Sequence, residues 1–353
     1  MSKGKTSFLK KLLISFFLIL LLGMGIGAYL AYKVIYQPNV SLGEKKSQVI
    51  FIPTGADFNE VANILSDKGI LINRATFELL SEKKKYKSNV KPGKYKVLAN
   101  MNNNGLINLL RSGLQEPVWI TFNNIRTKAQ LVSRISNKIE ADSLSITEMV
   151  DNNSFLQKKY GMGQESILTL FIPNSYKFFW NTSAEEFLDR MAREYKSFWT
   201  PARKLKAKNL GLSQTEISIL ASIVQAEQSR YNEEKPIIAG LYINRLKKGM
   251  PLQSDPTLIY ALGDFTIARV LNEHKEINSP YNTYKYAGLP PGPICLPEIS
   301  SLDAVLNNNK NDYFFMCAKD DFSCRHNFSK TLDQHNVFAR KYRTALNRSK
   351  IMH

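Results

Sequence analysis

Residues 12–32, LLISFFLILLLGMGIGAYLAY, carry no charged side chain over a length that takes a helix across a bilayer. In hydrocarbon every backbone amide must be satisfied within its own segment, so a run of this kind can form little other than one long helix. Lys3, Lys5, Lys10 and Lys11 precede it. The positive-inside rule then puts residues 1–11 in the cytoplasm and everything after the span outside. A cleaved signal peptide is the competing reading. The run is long for a signal, and no small-x-small cleavage site lies before Lys33, so a retained anchor at 12–32 is expected. No later stretch is comparably long and apolar. The expectation is a single-pass protein of the cytoplasmic membrane with a large outer body.

The 353-residue chain has a net charge of +18, which points to an acidic neighbour: nucleic acid, an anionic membrane surface or an acidic polymer. Lys and Arg are spread along the chain, and no RNP, zinc-finger or helix-turn-helix pattern is present, so a nucleic-acid partner is not expected. Of the three cysteines, Cys317 and Cys324 flank a turn-rich stretch. They are either joined across a hairpin or left as thiols.

Residues 33–47 read as a polar linker. SQVIFI then alternates as a strand, with Val49 and Phe51 on one face. Asp57 with Glu60 forms a capping box opening a helix, a second helix covers 74–82, KPGKYKVL is a turn into a strand, and 104–111 is a third helix. These make a small unit over 48–115. A mixed region over 116–350 follows, with helices near 128–139 and 185–199. A further helix opens at the Ser213/Glu216 capping box, and the next starts at Pro236 and ends at Gly249. Past residue 250 the prolines predict rigid loops, then a hairpin within DYFFMCAKDDFSCRHNFSK and a last helix over 333–348. The fold class is α+β.

No HExxH, paired CxxC, Cys/His cluster, GxSxG, P-loop or GxGxxG occurs, so neither metal nor organic cofactor is expected. One carboxylate is out of place. Leu220, Ile223, Val224 and Glu227 fall at i, i+3, i+4 and i+7, which puts an acid in line with buried residues. An apolar setting raises a glutamate's pKa, as required of a group that must protonate a glycosidic oxygen near neutral pH. The loops around it, INR (243–245), MPLQSDPT (250–257) and SPYNTY (279–284), are rich in groups that orient sugars. The plainer alternative is an acid at a helix end paired with Arg230.

The stretch from Leu220 to Pro291, ASIVQAEQSR…AGLYINRLKKGMPLQSDPTLIYALGD…SPYNTYKYAGLPPGPI, resembles the membrane-anchored endolytic murein transglycosylase (YceG-like) family. HNFSKTLDQHN (326–336) and FIPNSYKF (171–178) extend the likeness, and the 48–115 unit resembles that family's LysM-like subdomain. The resemblance implies that Glu227 is the catalytic acid. It further implies that Asn244, Arg245, Gln253, Asp255, Tyr281, Asn282, Tyr284, His326 and Asn336 bind substrate, with roles that packing and capping could equally explain for most of them. The implied partners are peptidoglycan glycan strands, the membrane and peptidoglycan synthases. The implied reaction cuts the MurNAc-β-1,4-GlcNAc bond and leaves a 1,6-anhydro end. Two departures stand out: Gln225 replaces the first acid of the family's E-x-E, and Asn174 replaces an acid. A hydrolytic muramidase using Asp255 as second carboxylate, or a non-catalytic glycan-binding scaffold, are the alternatives.

Overall fold

A computed structural model describes residues 3–348. Residues 1–2 of the basic tail and 349–350 of the expected catalytic region lie outside the described residues, as do the side chains of Lys3 and Lys5. The chain divides into two compact units, residues 1–118 with 177–181, and residues 119–176 with 182–353.

The first unit begins with helix α1 (Lys3–Tyr36). Its Phe8–Tyr36 portion contains an 18-residue window of mean hydropathy 2.3 with none of that window buried, which fits a single membrane anchor by length and composition. Strand β1 (Ser47–Ile52), helices α2 (Phe58–Asp67) and α3 (Arg74–Lys83), strand β2 (Gly93–Leu98) and helix α4 (Asn103–Ser112) follow. The two strands pair antiparallel, Ser47 opposite Leu98 and Ile52 opposite Gly93. Ile50 and Ile52 face the core, while Val49 and Phe51 are exposed. In VIFI both faces are apolar, so alternation alone could not choose the inner one; the helices on one side of the sheet do.

The stretch expected as a linker is packed. Val40 is 1 % exposed, and isolated bridges pair Pro38 with Asn102 and Val40 with Leu71. Val34 and Ile35 of α1 pack on the same core, and the Asn103 amide donates to the Val34 carbonyl at 2.9 Å. Two apolar residues inside a polar segment were enough to dock it, and the surrounding proline, glycine and charges hid them.

A short pair of strands, β3 (Val118–Thr121) and β4 (Ser175–Phe178), is prolonged by the Phe122 amide donating to the Asn174 carbonyl at 3.0 Å. Between them lie α5 (Lys128–Ser136), α6 (Ser143–Asp151) and α7 (Asn153–Tyr160); α8 (Ala184–Phe198) and α9 (Pro201–Leu210) come after. Helix α10 (Gln214–Glu227) is the centre of the second unit. The Ser213/Glu216 capping box is formed in both directions, and every residue from Ile217 to Val224 is buried. A helix apolar on all sides needs cover on all sides. That cover comes from α9, α11 (Lys235–Lys247), α12 (Asp255–Leu262) and α13 (Ile299–Leu306). Ser218 and Ser222 are tolerated because their hydroxyls donate to the Gln214 and Ile219 carbonyls.

Helices α12 and α13 occupy a stretch whose prolines suggested loops. Pro256 falls in the first turn of α12, and α13 starts just after Pro297. A first turn has no intrahelical use for the missing N–H, so proline there opens a helix instead of breaking one. The expected hairpin is β5 (Phe315–Ala318) against β6 (His326–Ser329), and α14 (Leu332–Arg348) closes the chain. Cys317 lies opposite Asn327, with Cys324 in the turn; both are free thiols, so the bridged alternative is not realised.

Gly240 lets α11 touch the loop after α13. A Cβ there would stand 2.2 Å from the Asn309 carbonyl oxygen. Gly240→Ala is expected to lower stability by about 1–3 kcal/mol through overpacking, read as a reduced melting temperature.

Candidate active site

Helix α10 ends at Glu227, and the side chain reaches a cavity of about 250 Å³. Part of the residue opens on that cavity, but protein groups surround the carboxylate. Tyr242 Oη (2.7 Å) and Ser254 Oγ (2.5 Å) both donate to Oε1. Among the described residues, Oε2 accepts no hydrogen bond. Burial holds the Glu227 carboxyl above the usual range; the two hydroxyls and the nearby His326 oppose that shift, and Asp255 reinforces it. Tyr242 is itself pushed well above 10 by burial and by Glu227, so it stays a donor. Arg230, the alternative ion-pair partner for Glu227, instead donates to Cys324 Sγ at 3.1 Å.

Arg245, Gln253, Asp255, Tyr284 and His326 line the same cavity as Glu227. Arg245 is 6 % exposed, and its guanidinium donates to the carbonyls of Phe314 (2.6 Å), Pro251 (3.0 Å) and Leu252 (3.0 Å) and to Gln253 Oε1 (3.2 Å). It thereby ties the segment before α12 to the hairpin, and burial lowers its pKa. Gln253 sits at φ +54°, a left-handed turn that throws Ser254 inward. Tyr284 Oη donates to Asp255 Oδ1 at 2.5 Å. Burial and that carboxylate raise the phenol's pKa.

Four of the expected site residues lie elsewhere. Asn244 donates to the carbonyls of Asn311 (2.7 Å) and Tyr313 (3.1 Å), fixing the strand entry. Tyr281 Oη donates to Glu165 at 3.1 Å and its ring packs on Tyr260. Asn282 is fully buried, donates to the Lys275 and Ile277 carbonyls, and accepts from the Tyr284 amide. Asn336 is exposed on α14 and does not line the cavity. The first three hold the loops whose neighbours line the cavity, which is why they share its motifs.

Sequence reasoning missed Tyr242, Ser254, Gln228 and Glu234. Tyr242 could have been found, since it stands three residues before Arg245 on one helix face. Glu234 is 5 % exposed and could not. Its carboxylate accepts from Gln228 Nε2 (2.8 Å) and the His326 amide (3.2 Å), and it meets His326 Nδ1 at 3.0 Å. Glu234 thereby fixes the His326 ring through Nδ1, and His326 lines the cavity.

Gln225 and Asn174 are outside this wall. Gln225 Oε1 accepts from the Glu298 amide (2.5 Å) and Ser301 Oγ (3.1 Å) at the start of α13. A carboxylate would serve there too, as anions suit helix N-termini. Gln225→Glu is therefore expected to leave activity unchanged and add about 0.3–1 kcal/mol of stability, measured by denaturant titration. Asn174 is exposed and its side chain accepts from the Ser175 amide.

The YceG-like family model matches residues 50–341. The chain belongs to the YceG-like family. A protein of Bacillus subtilis strain 168 named endolytic murein transglycosylase is 29 % identical over 338 residues, covering 91 % of each chain. One of Streptococcus pneumoniae strain D39 with the same name is 27 % identical, covering 88 % of this chain and 62 % of its own length. The crystal structure of a YceG-like protein from Listeria monocytogenes superposes with a TM-score of 0.54 at 28 % identity, over 83 % of this chain and 99 % of that one. Within the matched range, Glu227 stands at the end of α10, with Arg245, Gln253, Asp255, Tyr284 and His326 around the same cavity.

Proposed function

We propose that this YceG-like chain is an endolytic lytic transglycosylase of peptidoglycan, with Glu227 as its one acid–base group. The observation that carries this is a carboxyl whose pKa burial raises, with Oε1 held by two hydroxyls and Oε2 accepting no hydrogen bond among the described residues. Glu227 gives its proton to the glycosidic oxygen between N-acetylmuramic acid and N-acetylglucosamine, and the bond from C1 breaks. The new carboxylate, stabilised by Tyr242 and Ser254, takes the proton of the muramic O6 hydroxyl as O6 closes on C1. A 1,6-anhydro end forms, and no water is consumed. The same name borne by its relatives supports this reading.

Arg245, Gln253, Asp255, Tyr284 and His326 would shape the sugar subsites, while Asn244, Tyr281, Asn282 and Asn336 support the loops or lie apart. No cofactor takes part. The 48–115 unit is a LysM-like module that holds glycan, and 116–350 is the catalytic domain. The anchor crosses the cytoplasmic membrane with its N-terminus inside. The active site then works on strands emerging from peptidoglycan synthases, terminating their growth.

Asp255 lines the cavity beside Glu227, which favours a hydrolytic muramidase as the second reading. Mass spectrometry decides between them. The full-length protein in detergent is given uncrosslinked glycan strands. New ends one water lighter than a reducing sugar are expected, and absent with Glu227→Gln. Full-mass reducing ends would establish hydrolysis, and intact strands that remain bound would leave only a scaffold.

A further inference from the structure

Glu234 is 5 % exposed, and the proposed reaction makes no direct use of it. It stands immediately before α11, the helix that carries Tyr242 and Arg245. Its Oε2 accepts from Gln228 Nε2 (2.8 Å) and meets His326 Nδ1 (3.0 Å), while Oε1 accepts from the His326 amide (3.2 Å). Gln228 follows Glu227 directly and is buried. It is itself fixed, because its Oε1 accepts from the Arg230 and Tyr231 amides at 3.0 and 3.1 Å. One buried carboxylate thus joins the end of α10, the start of α11 and the first residue of β6.

A buried carboxylate is a costly way to staple two segments together. The hairpin also has other ties to residues 228–234. Gln228 Nε2 donates to the Cys324 carbonyl (3.0 Å), and Arg230 donates to Cys324 Sγ (3.1 Å). Arg325 pairs with Glu233 at 2.6 Å, and its guanidinium lies 4.0 Å from the centre of the Tyr231 ring. None of these contacts needs Glu234. What Glu234 adds is a grip on the His326 ring, and that ring lines the cavity with Glu227. A glutamine there would offer one acceptor oxygen where the carboxylate offers two.

We infer that Glu234 is a positioning residue of the reaction, holding the His326 ring at one place and angle in the wall that receives the sugar beside Glu227. This rests on the transglycosylase reading above. A ring free to turn leaves the sugar free to shift, and a misplacement of about 1 Å costs up to roughly 10²-fold in rate. His326 also favours the ionised form of Glu227, so the same grip steadies the carboxylate left after proton transfer.

The test is a double-mutant cycle in the full-length protein in detergent. It reads kcat and KM on uncrosslinked glycan strands, together with the melting temperature of each variant. Glu234→Gln and His326→Gln are each expected to lower kcat by about 10–100-fold, with the smaller part of the effect in KM. Adding Glu234→Gln to His326→Gln should cost less than about twofold more, because the group it acts through is gone. Glu234→Asp keeps the charge but draws it back from the ring, and it replaces Glu234→Gln in the cycle if that variant does not fold. Losses that multiply in the double variant would overturn the inference. So would a Glu234→Gln protein that melts lower but keeps the parent kcat, or one changed in KM alone. In those cases the parent still cleaves and the transglycosylase reading stands; a parent that cleaves nothing ends both.

Discussion

Glu227→Gln is expected to cut glycan cleavage by about 10²–10⁴-fold, the range that a positioned proton donor contributes. An amide fits the same space and still accepts from Tyr242 and Ser254, but it has no proton to give. The same substitution should make the protein more stable. Between the ordinary carboxyl value of 4.5 and its raised folded value, the native protein holds a proton that the unfolded chain has released. Stability contributed by this group is therefore full below the ordinary value and falls as pH rises through that window. Glutamine has no such dependence. The gap in melting temperature between variant and parent should be near zero at pH 4 and grow to a few degrees at neutral pH. Calorimetry across pH checks it; a variant less stable than the parent at pH 7 would mean that Glu227 is ionised and paired.

Tyr242→Phe should lower kcat by about 10–100-fold, since a hydrogen bond to a charged group contributes roughly 1.5–3 kcal/mol. The phenol donates to Oε1, and that bond strengthens when Glu227 becomes a carboxylate after giving up its proton. It also lowers the acid's pKa, so its removal lifts the pKa further. The descending high-pH limb of activity, where the acid loses its proton, should move to higher pH. Ser254→Ala should shift it the same way. A kcat loss with an unmoved pH profile would assign Tyr242 a packing role only.

The acid at 227 was legible because a carboxylate in register with buried leucine and isoleucine is costly and needs a reason. The capping box at Ser213 and Glu216 was legible because both partners are local. Glu234 was not, for its partner His326 lies 92 residues away and nothing near either residue announces the other. Asn282 and Tyr284 look alike in SPYNTY, yet one is a fully buried loop staple and the other lines the cavity. Side-chain type gives the chemistry that is possible, and only the loop's path says which way each residue turns.

Taken alone, the sequence determined the long apolar helix near the N-terminus, the α+β pattern, the family and the acid set among buried residues at 227. Each of these is written in residues close together, where periodicity, charge and capping act within a few turns. The tertiary structure decided which strand face is inner, that the supposed linker is docked, that proline-rich segments hold two helices, and which loop residues reach Glu227. Those outcomes depend on what packs against each segment from far along the chain, and that contact has no local signature.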